Sequence, residues 1–416
     1  KRRESLVGVT PSFSFPPLRE SPADGRSRSS YSDGIEPDVA RHSSPLLVAL
    51  VATGAALLFV LVRLWSVGDG DLGSFVGAGD LLSSESSLPL ESGPGYDGQF
   101  YYRMASSPLD FDATSNGVTL DSEVRLQRIG YPAITWLVTA GGSIPVTLGL
   151  VTVNVIGMGL IAGIGATLLG LHRRSPWWGL ALVTYFGFAF VIAKDLTEIT
   201  EVTFLMLAVL AAHHHKWLLA ALALCVVVLT RESAMFVVPT LALWRLWQIT
   251  KRRVRPSQID LTWVLPPMAF GLWQLVVRSG TGRFPLTAPY RHSSFNVPGW
   301  PFLSRLDDVF GDWSVTGVAH MVEVIVLLVV VAHACTLLRD SRVDPFVRAL
   351  FIGLALACLS LDVLEGVWIT RSLRMFSDVF VISLLILIIT HRRLTFHLMA
   401  TGLVSMASYG WFVTNL

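Results

Sequence analysis

Charged side chains are scarce in this chain. Only 15% of its 416 residues are Asp, Glu, Lys or Arg, against about 25% in ordinary soluble domains. That deficit excludes a water-soluble enzyme. No sign of charge dominates either: 32 basic and 30 acidic residues leave a formal net charge of +2, which excludes bulk nucleic-acid binding as the main task. The three cysteines, Cys225, Cys335 and Cys358, all lie in apolar stretches, so no disulfide framework is expected. No short apolar core with a small-residue cleavage site follows the start of the chain, as a secretory signal would require. The chain opens at Lys1 rather than Met, and the expectation is that its native start lies upstream.

What the chain does have is apolar sequence, 52% of all residues with a mean hydropathy of +0.57. A bilayer-spanning helix needs roughly 20 mostly apolar residues. The expected fold is therefore an all-α polytopic membrane protein with about eleven transmembrane helices, at 45–65, 145–171, 177–193, 198–212, 217–230, 233–249, 261–278, 316–338, 346–363, 373–390 and 395–413. Residues 1–44 are rich in Ser, Pro, Arg and Gly and lack apolar periodicity; they read as a disordered cytoplasmic tail ahead of a membrane domain over 45–416. The first apolar run starts at Leu46 and ends at Arg63-Leu64-Trp65, long enough to stay in the membrane uncleaved.

Orientation follows from the excess of Lys and Arg in cytoplasmic loops. With the tail inside, the inner connections hold twelve Lys or Arg, and the short outer ones hold four, Lys194, Arg231, Arg371 and Arg374. Two outer loops are long: 66–140, whose apolar piece 129–140 is too short to span and reads as an interfacial helix, and 279–315.

This threading sends the unusual polar residues to one side. The first loop carries Tyr96-Asp97-Gly98-Gln99-Phe100-Tyr101-Tyr102 and Arg125-Leu126-Gln127-Arg128-Ile129-Gly130-Tyr131-Pro132. Short turns carry Lys194-Asp195-Leu196-Thr197-Glu198, with Glu201 beyond, and Thr230-Arg231-Glu232-Ser233; the second long loop brings Arg283, Tyr290, Arg291 and His292. Asp362, Glu365, Arg371 and Arg374 complete the set. An ionisable group in a span costs roughly 2.5–3.5 kcal/mol at mid-helix and persists where it pairs or lines a wet cavity. Five segments delivering acids and bases to one face predict a shared polar site there.

Each element also has a plainer reading. Asp97, between residues Gly95 and Gly98 that permit sharp turns, is either a turn residue making a local bond or a general base whose pKa the neighbouring rings raise. Asp195 and Glu198 fit a capping box. Arg231 and Glu232 fit a local ion pair. Arg371 and Arg374, three apart, fit a phosphate clasp or snorkelling to the interface. His213-His214-His215 point in different directions along a helix and are not expected to chelate one ion. Gly157, Gly159, Gly163 and Gly165 read as small-residue helix packing, since no strand precedes them to make a dinucleotide loop.

Taken in order, the 96–102, 125–132, 194–198 and 230–233 motifs resemble those of bacterial polytopic GT-C-type glycosyltransferases, similar in layout to the mannosyltransferases whose first outer loop carries Asp-Gly-x-x-Tyr. The resemblance covers about residues 45–400. It implies a lipid-phosphate-linked sugar donor, inversion at the anomeric carbon, and an acidic residue of the first outer loop serving as base or metal ligand, here Asp97. The chain lacks the adjacent acidic pair of some GT-C branches, so metal use stays open; no nucleotide cofactor is expected. On this reading Asp97 and Glu198 are the catalytic candidates. Tyr96, Gln99, Tyr101, Tyr102, Arg125, Arg128, Lys194, Asp195, Arg231, Glu232, Arg371 and Arg374 are the substrate-binding candidates. The partners are membrane lipid, a polyprenyl-phosphate sugar and a glycan or glycolipid acceptor, with no nucleic acid. The active face would be extracytoplasmic on the inner (plasma) membrane. The competing classes are a secondary transporter or flippase of a lipid-linked substrate, and an acyltransferase using His320 or His333.

Overall fold

Ser44 opens the first long helix. Its hydroxyl accepts the Leu46 amide at 3.2 Å, and Pro45 takes the first helical position, where a missing N–H is harmless. The structure is a computed structural model that describes residues 44–288, 295–304, 310–311, 313–361, 373–390, 402–404 and 407. The chain divides into Lys1–Asp38 and Val39–Leu416, and the described residues all belong to the second unit.

The architecture is mostly helical. In chain order the main helices are α1 Pro45–Ser66, α2 Gly98–Ser106, α3 Gly130–Val138, α4 Val146–Leu171, α5 Gly187–Ala193, α6 Glu198–His213, α7 Trp217–Thr230, α8 Val237–Arg252, α9 Leu261–Thr281, α10 Val315–Leu337, α11 Pro345–Ser360 and α12 Ser377–Thr390. Among the described residues the strands fall in the 66–140 loop, as two small pairs: Ala78–Gly79 parallel to Leu90–Glu91, and Thr114–Ser115 antiparallel to Val118–Thr119. The short apolar piece at 129–140 is α3. Residues 1–43 and most of the segment 395–413 lie outside the described residues.

Helices stand in ten of the eleven expected span positions. Fewer are long enough to cross. Among the described residues, Pro45–Ser66, Val146–Leu171 and Gly317–Leu337 have the length and apolarity for it, and the pair Pro176–Val183 with Gly187–Ala193, bent by 67°, makes a fourth if it is one span. The reason lies in where the shorter helices stop. α6 starts at the buried turn holding Lys194, Asp195 and Glu198, and α7 ends at buried Thr230 and Arg231. These ends are polar turns enclosed by protein.

Small residues let the long helices approach. A Cβ on Gly159 would fall 2.0 Å from the Thr53 hydroxyl of α1, and one on Gly157 would fall 2.6 Å from Ile199 of α6, as expected for close helix packing. The core is aromatic: Tyr185, Phe186, Phe188, Phe190 and Phe380 are wholly buried. On α1 the opposite face leaves Leu46, Leu50, Leu58 and Leu61 more than half exposed, a large apolar surface for a helix to show water.

Candidate active site

Asp97 stands just before α2, yet its carboxylate makes no capping bond to that helix. The local-turn reading is therefore overturned. Its oxygens face outward to three guanidinia: Arg125 Nη1 at 2.7 Å, Arg374 Nη2 at 3.4 Å and Arg128 Nη1 at 3.6 Å. Each arginine is also held from another side. Asp121 accepts from Arg125 Nε and Nη2 at 3.0 and 2.9 Å. Glu232 takes Arg128 in a two-pronged pair at 2.8 and 2.6 Å, and Glu198 accepts from Arg374. Aromatic rings complete the shell, with Arg125 4.7 Å from the Phe100 ring centre and Arg374 5.4 and 5.9 Å from those of Tyr96 and Phe190. The Tyr101 hydroxyl lies 3.5 Å from Arg128.

Close backbone approaches bring these segments together. Gly95 adopts φ +69° and passes Gly79 so closely that a Cβ would fall 2.3 Å from its nitrogen; at Gly98 a Cβ would fall 2.4 Å from the carbonyls of Lys194 and Val76. Gly98 thus serves contact with the 194 turn, and only Gly95 has the left-handed backbone. Gly130 seats the arginine loop on α7, since its Cβ would meet Thr230 Oγ1 at 2.2 Å. A Cβ on Gly187 would meet the Arg374 Cα at 2.7 Å.

The electrostatics correct one expectation. Burial pushes the Asp97 carboxyl up, but Arg125, Arg374 and Arg128 outweigh it and hold the group at about 2, against an ordinary value of 3.8. The expected raised pKa is not what this environment produces. Burial likewise pushes Glu232 up and Arg128 outweighs it, leaving Glu232 below its ordinary value. Asp195, wholly buried with φ +46°, is the opposite case: burial drives its carboxyl well above the carboxylate range, offset only in part by Asn154.

Other candidates fall at the margins. Gln99 holds the loop itself, its Oε1 accepting from Gly79 N and Ser83 Oγ and its Nε2 donating to the Pro94 carbonyl. Lys194 pairs with Glu91 at 2.5 Å beneath the loop. Tyr102 packs on the hydrophobic core. The capping box is absent, since Thr197 is the residue before α6 and makes no side-chain cap. Nor do Arg231 and Glu232 pair with each other: Arg231 bonds Glu201 at 2.9 Å and the Met375 carbonyl at 3.1 Å. Arg371, Asp362, Glu365, Tyr290, Arg291 and His292 lie outside the described residues.

Sequence reasoning passed over Asp378, which is buried close enough to Arg231 to act on its charge. Its signal was an acid in the first turn of α12, whose other residues are apolar or hydroxylated. Among the described residues no group of three or more His, Cys, Asp or Glu gathers to hold a metal ion. The donor set does not fit one at Asp97, where an added cation would meet three guanidinia. A groove of about 590 Å³ lies elsewhere, between α8 and α11, lined by Trp244, Trp247, Arg252 and Arg348 among others.

No protein-family model, curated protein or solved structure matches this chain. The functional reading therefore rests on the site itself.

Proposed function

We propose that this chain is a polytopic membrane glycosyltransferase of the GT-C type. It would move a sugar from a polyprenyl-phosphate donor to an extracytoplasmic glycan or glycolipid acceptor, with inversion. The observation that carries the reading is the meeting of Arg125, Arg128 and Arg374 on Asp97, from segments as far apart in sequence as 277 residues. The eleven-span threading, with this cluster on the outer side of the plasma membrane, belongs to the same proposal.

The chemistry needs both signs of charge. The acceptor hydroxyl oxygen attacks the anomeric carbon, the bond from that carbon to the phosphate oxygen breaks, and the acceptor's proton passes to a carboxylate. Asp97 is that carboxylate on this reading. Arginines already oriented by Asp121, Glu232 and Glu198 offer preorganised positive charge to the phosphate as it departs. The ring of Tyr96 stands beside Arg374 and would bound the sugar, while buried Phe100 backs Arg125. The side chains of Asp97 and Arg125 are 18% and 14% exposed, so the cluster is partly open to its surroundings.

A transporter or flippase of a lipid-linked substrate is the second reading. It draws on Glu201 and Arg231, an ion pair 0% and 3% exposed inside the helical body, because transporters keep such charges near the midplane. The test is transfer of label from a radiolabelled polyprenyl-phosphate sugar into larger glycolipid or glycan, in membranes carrying wild type or Asp97→Asn at equal expression. The reading expects transfer by the wild type and its loss in the variant. Equal rates in both would remove Asp97 from the reaction.

A further inference from the structure

We propose that Asp97 occupies, in the resting protein, the seat of a phosphate group, so that phosphate binding and release of this carboxylate are a single exchange. The proposal rests on the transferase reading only for the identity of the lipid that bears the phosphate. Its geometric basis is independent. Every arginine of the cluster has a carboxylate of its own, Asp121, Glu232 or Glu198, and also ion-pairs with Asp97: Arg125 and Arg374 through a hydrogen bond, Arg128 at longer range. Among the described residues, Asp97 is the anion the three share. It serves them unequally: 2.7 Å to Arg125, but 3.4 and 3.6 Å to Arg374 and Arg128, where a good charge-assisted bond runs about 2.7–2.9 Å.

The planar Asp97 carboxylate, as placed, makes one short contact and two long ones, with Oδ2 shared between Arg374 and Arg128. A phosphate monoester presents three terminal oxygens in a tetrahedron, one for each guanidinium. Asp97 makes no side-chain cap to its own helix, so its contacts with the three arginines are the ones a phosphate would replace. The exchange also accounts for an otherwise awkward base. A carboxylate clasped by three arginines accepts protons poorly; once phosphate draws the guanidinia away, Asp97 regains ordinary basicity next to the reacting group. A bound diester donor has two unesterified oxygens and the departing monoester three, so the fit improves as the bond breaks, which is where binding accelerates a reaction.

The test is calorimetric titration of the purified full-length chain in detergent with farnesyl phosphate, inorganic phosphate and, as a neutral control, farnesol. Asp97→Asn removes the competing charge and keeps the shape. The expected result is phosphate bound about tenfold or more tightly by Asp97→Asn than by wild type, comparable to the charge-assisted bonds released, with farnesol unchanged. Tightening with both phosphates assigns the seat to phosphate itself, and tightening with farnesyl phosphate alone assigns it to a lipid-borne one. Equal or weaker binding by Asp97→Asn overturns the exchange. A second measurement needs no variant. Carbodiimide labelling of Asp97 in the wild type, read by mass spectrometry, rises on adding farnesyl phosphate if the carboxylate is released, and a fall overturns the proposal. Tighter binding by Asp97→Asn, with no sugar transfer by the wild type, would uphold the exchange and sink the transferase; sugar transfer by the wild type without tightening in the variant would do the reverse.

Discussion

Asp97 is an anion because of its neighbours. Held at about 2 by three guanidinia, it keeps its charge well below the ordinary carboxylate range. Its folded value is depressed, so the stability it contributes is complete above the ordinary 3.8 and is lost as pH falls through about 2. Infrared difference spectra of wild type minus Asp97→Asn are expected to show the carboxylate band near the ordinary 3.8, with the acid band growing in only as pH approaches about 2; a dominant acid band at the upper end of that interval would contradict the assignment. A second residue-scale prediction concerns Arg231 and Glu201, buried at 3% and 0% side-chain exposure. Glu201→Ala removes the hydrogen-bonded anion of the Arg231 guanidinium inside the helices, leaving it the more distant Asp378; breaking a buried pair costs about 3–5 kcal/mol. Thermal unfolding in detergent should show a large fall in midpoint, and an unchanged midpoint would mean that the pair is not buried in the working protein. In a chain this poor in charge most ionisable residues were conspicuous, which is why Asp97 and the arginines were legible, while Asp378, at the start of an otherwise apolar or hydroxylated helix, was passed over. Their pairing was not. Asp97 meets Arg125 and Arg374 across 28 and 277 residues of sequence, and no local pattern encodes such a contact.

Helix positions are the part of the fold most plainly written in the sequence. The segment expected at 217–230 is Trp217–Thr230, and that expected at 145–171 is Val146–Leu171, because unbroken apolar runs ending in basic or polar turns leave little choice. The bend of 67° after Val183 was not legible. It falls where the Tyr185 hydroxyl donates to the Leu373 carbonyl and where Gly187 admits the Arg374 backbone, contacts supplied by a distant segment. The glycines of the first loop carry a prediction at this scale. Gly98→Ala puts a methyl 2.4 Å from two backbone carbonyls, an overpacking worth about 1–3 kcal/mol. It should lower both thermal stability and sugar transfer by lifting Asp97 off the 194 turn. Gly54→Ala is the control: no atom lies within 4 Å of the new methyl, and stability should hold or rise by about 0.5–1 kcal/mol from helix propensity. Equal effects of the two substitutions would contradict the packing argument.

At the scale of the molecule, one question is which side of the membrane holds the arginine cluster. Inner and outer loops differ in basic charge, and that difference predicts opposite locations for the 213–216 turn and the 279–315 loop. Reporter fusions at the two sites should report cytoplasm for the first and the outer side for the second, and a reversal would move the site to the opposite face. The chemistry itself is tested most directly by counting both products of the reaction. Purified wild-type protein, given a polyprenyl-phosphate sugar and an acceptor, should release one polyprenyl phosphate for each glycosidic bond formed, with inverted anomeric configuration, and Asp97→Asn should form neither product. Polyprenyl phosphate released at the wild-type rate by Asp97→Asn, or glycosidic bonds of retained configuration, would contradict the account.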